Sequence, residues 1–168
     1  TWFRPGAAPL EGLLAAQMAQ KNSPRLHRVS NAYRRFLELG GTVRMEDLTS
    51  GLIRRYLNAG TPILTGLSST YLYRAAREYG INSDPDDVRG YPAGHFVVLC
   101  GYDRESRSVL VADPLLPNPM SPQHYYVVGL ERVLCAILLG ILTDDANLLV
   151  IEPHKGARKG KRESACRS

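Results

Sequence analysis

Two apolar runs joined by a short polar stretch lie in the middle of the sequence, GHFVVLCGY at residues 94–102 and SVLVAD at residues 108–113. Both runs are rich in β-branched and aromatic residues, and the DRESR between them is typical of a turn, so the pattern predicts a β-hairpin. Side chains alternate between the two faces of a strand. His95 and Val97 therefore share one face, while Cys100 faces the other way and cannot meet His95 without a bulge.

The length of the turn decides which residues of the two strands face each other. If DRESR forms a five-residue loop, Tyr102 pairs with Ser108 and the register sets Val97 opposite Asp113. His95 then lies diagonal to Asp113 on the same face, within reach of its side chain. A loop one residue shorter or longer would move Asp113 to the opposite face.

His95 and Asp113 lie at the ends of strands that are apolar on both faces, and buried polar groups of this kind need partners. A carboxylate bonded to one imidazole nitrogen fixes the tautomer and leaves the other nitrogen free to accept a proton, which is the orienting role in a catalytic triad. A lone histidine at the start of a strand is more often a structural or surface residue. The spacing alone leaves both interpretations open.

The rest of the sequence changes from a helical to an extended pattern, which predicts an α+β fold with a mainly antiparallel sheet. Helix-like segments cover residues 10–20, 25–39, 45–60, 71–79 and 130–139. Further strands are expected at residues 62–65, 124–128 and 148–151, and a loop at residues 82–94. We find no repeat or linker, and the length fits one domain over residues 1–153.

The net charge of +5 comes from the C-terminus alone. Residues 154–168 hold six Lys and Arg and one Glu, so the remaining chain has 15 basic and 15 acidic residues. A tail of this composition is typically solvated and disordered, with contact to nucleic acid or to an anionic membrane as the less frequent alternative. We therefore expect a basic disordered tail over residues 154–168, and nucleic acid is an unlikely partner for the rest of the chain.

Three cysteines without close spacing, Cys100, Cys135 and Cys166, indicate neither a disulfide framework nor a redox or metal motif. This pattern predicts a reducing, cytoplasmic location. The longest apolar run, residues 133–142, is well short of the roughly 20 residues that span a bilayer. No leader-like segment opens the chain, so a soluble protein without membrane contact is expected.

Other candidate sites lack the spacing that their chemistry needs, so we expect no metal and no cofactor. The sequence has no phosphate-binding glycine loop and no HxH or HExxH pattern, and the acidic residues of 84–87 lack the spacing of an EF-hand. The tyrosines and arginines of residues 71–79 either line a substrate groove or cover a helix. A metal site can be drawn only from scattered residues: His95, Asp103, Asp113 and His124.

The hairpin sequence GHFVVLCGYDRESRSVLVADP resembles the His and Asp motifs of the C39-like cysteine peptidases, a papain-like group. In that group Gly-His opens a strand, Gly-Tyr-Asp closes it, and Asp-Pro ends the next strand. LIRRYLNAGTPILTGL and AILLGILTDDANLLVIEP extend the likeness, which covers roughly residues 45–153. The resemblance implies a papain-like fold, a peptide or protein substrate, His95 as general base and Asp113 as the residue that orients it.

The family's nucleophile is a cysteine in a Gln-containing stretch that ends in Cys-Gly, and nothing in this sequence corresponds to it. Residues 1–44 contain no cysteine, Cys135 falls in an apolar helical run where we expect burial, and Cys166 falls in the tail. Because the chain begins with Thr1, we expect a fragment that has lost the segment carrying the nucleophile and is inactive as it stands. The alternative is a non-catalytic peptide-binding or protein-interaction module of the same fold.

Overall fold

A computed structural model describes residues 2–143 and 146–152 of the chain. These residues form two compact units, one up to Asp47 and the other from Leu48 onward. The predicted tail at residues 154–168 lies outside the described residues. The expectation of one domain over residues 1–153 stays a prediction, and each unit is described by itself.

The first unit contains two helices that pack against each other, α1 (Leu10–Gln20) and α2 (Pro24–Glu38). The side chain of Ser23 accepts a hydrogen bond from the backbone N–H of Leu26 and so caps α2. The proline that follows Ser23 occupies the first turn, where its missing N–H costs nothing. Both helices lie where the sequence pattern predicts them, to within one residue.

The second unit is built on a five-stranded sheet. Its elements in chain order are α3 (Ser50–Asn58), β1 (Ile63–Ser68), α4 (Ser69–Tyr73), β2 (Glu78–Tyr79), β3 (Asp84–Pro85), β4 (Gly94–Asp103), β5 (Ser108–Ala112), β6 (Tyr125–Gly129), α5 (Leu130–Leu139), a 3-10 turn (Gly140–Thr143) and β7 (Leu148–Val150). The strand order is β6-β5-β4-β1-β7, every neighbouring pair is antiparallel, and β2 pairs separately with β3. The fold is therefore α+β with a mainly antiparallel sheet, as the sequence predicts.

The inner face of the sheet carries the core of this unit. Helix α3 begins after Thr49, whose side chain accepts a hydrogen bond from the N–H of Leu52, and it packs against β4. Helix α5 packs against β1. The buried cluster consists of Ile53, Leu57, Ile63, Leu67, Leu72, Val97, Leu99, Val109, Val111, Tyr126, Val128, Leu130, Val133, Ala136 and Ile137.

The outer face of the sheet is apolar as well, although much of it is exposed. The strand registers set one apolar residue from each strand in a continuous row across the sheet: Leu149, Leu64, Val98, Ala112 and Tyr125. Phe96 and Val127, on the same face, are exposed by 53% and 61%. The exposed apolar side chains of the sheet are therefore concentrated on this outer face.

The apolar run at residues 133–142 contributes Val133, Ala136 and Ile137 to the core of this unit, whereas Leu138 and Ile141 are exposed. It forms the end of α5 and the 3-10 turn that follows. The chain comes so close to β1 at Gly140 that a Cβ atom there would lie 3.1 Å from the Cα of Leu67. Within the described residues, no helix has both the length and the apolar character needed to cross a membrane.

The predicted hairpin forms, but with a turn one residue shorter than expected. Asp103 pairs with Ser108, which leaves residues 104–107 as the turn. The register then shifts between Leu99 and Gly101, so Cys100 is the extra residue of a β-bulge. The two departures cancel: beyond the bulge Leu99 pairs with Val111, which is the register expected from a five-residue loop without a bulge.

Residues 71–94 differ from the prediction. The expected helix at residues 71–79 begins earlier and ends at Tyr73, because Arg74 adopts a left-handed conformation with φ of 56° that closes the helix. The chain then forms β2 instead of more helix. The loop expected at residues 82–94 contains β3, which pairs with β2. The helical pattern of residues 71–79 therefore does not produce a helix beyond Tyr73, and the chain forms the β2–β3 pair instead.

Deletion of Cys100 is expected to remove the bulge without changing any pair of the hairpin, since Leu99 and Gly101 already face consecutive residues of β5. Deletion of Val98 is the matched control. It would turn the buried Val97 towards the outer face and cost about 2–5 kcal/mol. Urea unfolding followed by circular dichroism should show a much larger loss of stability after deletion of Val98 than after deletion of Cys100. Equal damage from the two deletions would contradict the bulge assignment.

Candidate functional site

A histidine and an aspartate meet at the end of the central hairpin. His95 is the second residue of β4, and Asp113 directly follows the last residue of β5. The observed register, continued by one residue, sets Asp113 opposite Val97 and diagonal to His95. The Nε2 atom of His95 lies 2.8 Å from Oδ1 of Asp113. The imidazole is 23% exposed, whereas the carboxylate is completely buried.

The buried carboxylate of Asp113 receives four hydrogen bonds. Its Oδ1 accepts from His95 and, at 2.9 Å, from the backbone N–H of Leu115. Its Oδ2 accepts from the hydroxyls of Tyr73, at 2.6 Å, and Tyr126, at 2.7 Å. A carboxylate has about four lone-pair positions, so all of its acceptor capacity is used.

This environment keeps the carboxyl group ionised. Burial by itself would raise the pKa of Asp113, but the hydrogen bonds from Tyr73, His95, Tyr126 and the Leu115 N–H outweigh it and lower the pKa below its usual value. Burial raises the pKa of both tyrosines, and the hydrogen bond to the charged Asp113 raises it further. At neutral pH the site therefore holds one anion and two neutral phenols.

The protonation of Asp113 determines the tautomer of His95. An ionised carboxylate only accepts hydrogen bonds, so Nε2 must carry the hydrogen that points to Oδ1. The Nδ1 atom of a neutral ring then holds a lone pair and can accept a proton. The ring of Tyr73 flanks the imidazole, with the ring centroids 6.1 Å apart. The arrangement can orient one imidazole and present its Nδ1 as a base.

The backbone around Asp113 is held by the loop that connects β5 to β6. The N–H of Asp113 donates to the carbonyl of His124, and Nδ1 of His124 lies 2.8 Å from the carbonyl of Asp113. Within the loop, the buried side chain of Asn118 donates to the carbonyls of Leu115 and Gln123. These bonds fix the loop so that the Leu115 N–H reaches the carboxylate.

The metal site drawn from scattered residues does not form. Asp103 lies eight residues beyond His95 on the same strand, a separation of about 26 Å. His124 binds the backbone of Asp113 and not its carboxylate. Within the described part of the chain, no group of three or more His, Cys, Asp and Glu side chains comes together as a metal ion would need.

Neither described cysteine lies beside His95. Cys100 is five residues away along β4, about 16 Å, and its Sγ lies 3.6 Å from the carbonyl of Val98. Cys135 is exposed on α5. The expectation that Cys135 is buried is wrong, because α5 turns Val133, Ala136 and Ile137 towards the core and Cys135 away from it.

Three of the four donors to Asp113 are not predicted from the sequence: Tyr126, Tyr73 and the N–H of Leu115. Tyr126 falls in the strand predicted at residues 124–128, and a tyrosine at an inward position of such a strand needs an acceptor for its hydroxyl. That signal was available, but it does not identify the acceptor. The N–H of Leu115 carries no sequence signal. For Tyr73 the sequence predicts only a place in a substrate groove or on the surface of a helix.

A family model described as the Peptidase_C39 like family matches residues 14–128, which is more than half of the chain. The match starts and ends earlier than the likeness to residues 45–153 noted from the sequence. It includes His95 and Asp113, together with both tyrosines that contact Asp113. No curated protein and no solved structure matches the chain.

Replacement of Asp113 by Asn is expected to destabilise the protein by about 2–3 kcal/mol at neutral pH. An amide offers one acceptor oxygen and a donor NH2 group to four donors, so some of the buried hydrogen bonds must be lost. Asp84→Asn, at an exposed residue of β3, is the matched control and should change stability by less than about 0.5 kcal/mol. Urea unfolding followed by circular dichroism measures both. Equal urea midpoints for the two variants would show that the four hydrogen bonds to Asp113 do not stabilise the protein as expected.

The lowered pKa of Asp113 predicts an acid-sensitive contribution to stability. A carboxyl group with a lower pKa in the folded state stabilises the protein above its unfolded pKa, and this stabilisation is lost as the pH falls through the folded pKa. Below about pH 4, the wild-type protein should therefore lose stability more steeply than Asp113→Asn. Unfolding free energies measured from pH 7 to pH 2 test this. Parallel curves would show that Asp113 does not titrate differently in the folded protein.

Proposed function

The chain belongs to the Peptidase_C39 like family, and on this premise we propose that it forms the base-bearing part of a thiol peptidase site. His95 is the general base of the proposed site, and Asp113 holds its imidazole. The observation that carries the proposal is the 2.8 Å contact between Nε2 of His95 and the buried, ionised carboxylate of Asp113. This contact directs Nδ1 away from the carboxylate, to the position of a base.

In the proposed reaction the thiol proton moves to Nδ1 of His95, and the thiolate attacks the carbonyl carbon of an amide bond. The bond to the leaving nitrogen then breaks as Nδ1 returns the proton to the departing amine. Water hydrolyses the resulting thioester, with Nδ1 again taking a proton and passing it to the sulfur. Asp113 stays ionised throughout and stabilises the imidazolium that forms.

The nucleophilic thiol of this reaction is neither of the two cysteines that the structure describes. Cys100 and Cys135 lie away from His95, and residues 1–44 contain no cysteine. We place the nucleophile in a segment that precedes the core of the domain in the natural protein, as in the C39-like peptidases. A thiolate there would benefit from the protonated imidazole beside it. The substrate class is a peptide or protein, which the family indicates.

A second candidate function, peptide or protein binding without cleavage, is favoured by the outer face of the sheet. The apolar row on this face crosses all five strands and carries no charged side chain, and three of its members are exposed: Leu149, Leu64 and Tyr125. Such a surface can bind an apolar segment of a partner. In this alternative His95 and Asp113 serve only to hold the ends of β4 and β5 together.

Hydrolysis of a fluorogenic peptide library distinguishes the two functions. The 168-residue chain is expected to show no turnover. The protein expressed from its natural reading frame, with any codons that precede Thr1, is expected to cleave peptides if these codons supply a Cys-Gly segment. His95→Ala in that protein should lower kcat/KM by about 1,000-fold or more. Cys135→Ser, an exposed change on α5, is the matched control and should leave kcat/KM unchanged.

Three outcomes would overturn the proposal. Turnover by the 168-residue chain that persists after Cys100, Cys135 and Cys166 are all replaced by Ser would exclude a thiol mechanism. Equal turnover of the longer protein with and without His95 would exclude the base role. Peptide binding without cleavage by a natural protein that holds no upstream Cys-Gly segment would favour the binding module.

A further inference from the structure

Two phenol hydroxyls converge on a single oxygen of a fully buried carboxylate. Tyr73 comes from α4 and Tyr126 from β6, and both donate to Oδ2 of Asp113, at 2.6 and 2.7 Å. Each ring is buried or half-buried, so neither hydroxyl is simply using a surface acceptor. A phenol facing an ionised carboxylate can only donate, which makes both bonds charge-assisted.

The two oxygens of the carboxylate have separate tasks in this arrangement. Oδ2 is occupied by the phenols, while Oδ1 faces His95 and the N–H of Leu115. Rotation of the carboxylate about its bond to Cβ would break bonds at both oxygens at once. The phenols therefore fix the plane in which Oδ1 meets the imidazole. They also leave no lone pair of Oδ2 available to take a proton from His95.

We propose that Tyr73 and Tyr126 are positioning residues, whose hydroxyls hold Asp113 so that it fixes the proton of His95 on Nε2 and exposes Nδ1 as the base. The effect of the two tyrosines on catalysis rests on the proposed peptidase function. Their hydrogen bonds to Asp113 do not depend on that function. Neither residue touches a reacting atom. Both act through the carboxylate, and replacement of either by Phe removes the hydroxyl while the ring remains.

The chain provides a matched control for each tyrosine. Tyr71 lies two residues before Tyr73 on α4, and its ring contacts the guanidinium of Arg132. Tyr125 precedes Tyr126 on β6 and is 52% exposed. Tyr71→Phe and Tyr125→Phe therefore remove a hydroxyl from the same two elements without touching Asp113.

NMR of the 168-residue chain tests the inference without any peptidase activity. The carboxyl carbon of Asp113 should titrate at a higher pH in Tyr73→Phe and in Tyr126→Phe, and at a still higher pH in the double variant. The Nε2 proton of His95 should exchange with water about tenfold faster in the double variant. Tyr71→Phe and Tyr125→Phe should leave both signals unchanged. Circular dichroism checks that each variant folds, and Tyr73→Phe suffices if Tyr126→Phe does not fold.

The outcomes separate this inference from the proposed function. An unchanged Asp113 titration and an unchanged Nε2 proton in folded Tyr73→Phe would overturn the positioning role, whatever the activity. The 168-residue chain could show the expected NMR changes while the longer natural protein cleaves no peptide. This result would support the positioning role and overturn the proposed peptidase function. In a longer form that does cleave peptides, the double variant should lower kcat with little change in KM.

Discussion

The carboxylate of Asp113 imposes the strictest requirement on this fold, because a buried charge must be fully compensated. Its four donors come from four different parts of the second unit: β4, α4, β6 and the loop after β5. The loop itself is held by Asn118, and the start of β6 is held through His124. The side chain of Asp113, at the end of β5, is thus bonded to the start of β4, to the end of α4 and to β6.

The sequence predicts the hairpin because two runs rich in β-branched residues flank a short polar stretch, and the expected register follows from the length of that stretch. In the structure Val97 and Leu99 are buried on the same face as Val109 and Val111, which a slip of one residue would disrupt. The turn is one residue shorter than the sequence suggests, and the bulge at Cys100 restores the register. The burial requirement therefore determines the position of Asp113, while the details of the turn adapt to it.

Other parts of the site could not be predicted from the sequence, since they depend on contacts between distant segments. The helix predicted at residues 71–79 ends at Tyr73 because the backbone of Arg74 turns left-handed, and no local pattern signals this. The same turn leaves Tyr73 at the end of α4, next to Asp113. The distance along the chain between Tyr73 and Tyr126 gives no indication that their hydroxyls share one oxygen. Inward-facing tyrosines in apolar elements are the signal to look for.

Both oxygens of Asp113 are occupied by hydrogen-bond donors, which limits what the pair can do in the proposed reaction. In that reaction the carboxylate only orients the imidazole, and the proton that moves enters and leaves at Nδ1. Any nucleophile served by this pair therefore has to approach the ring from the Nδ1 side. Cys100 cannot do so, because the rigid strand that carries His95 also keeps this sulfur about 16 Å away along its length. His95 lies on β4 and Asp113 follows β5, so the nucleophile of the proposed reaction has to come from a segment other than these two strands.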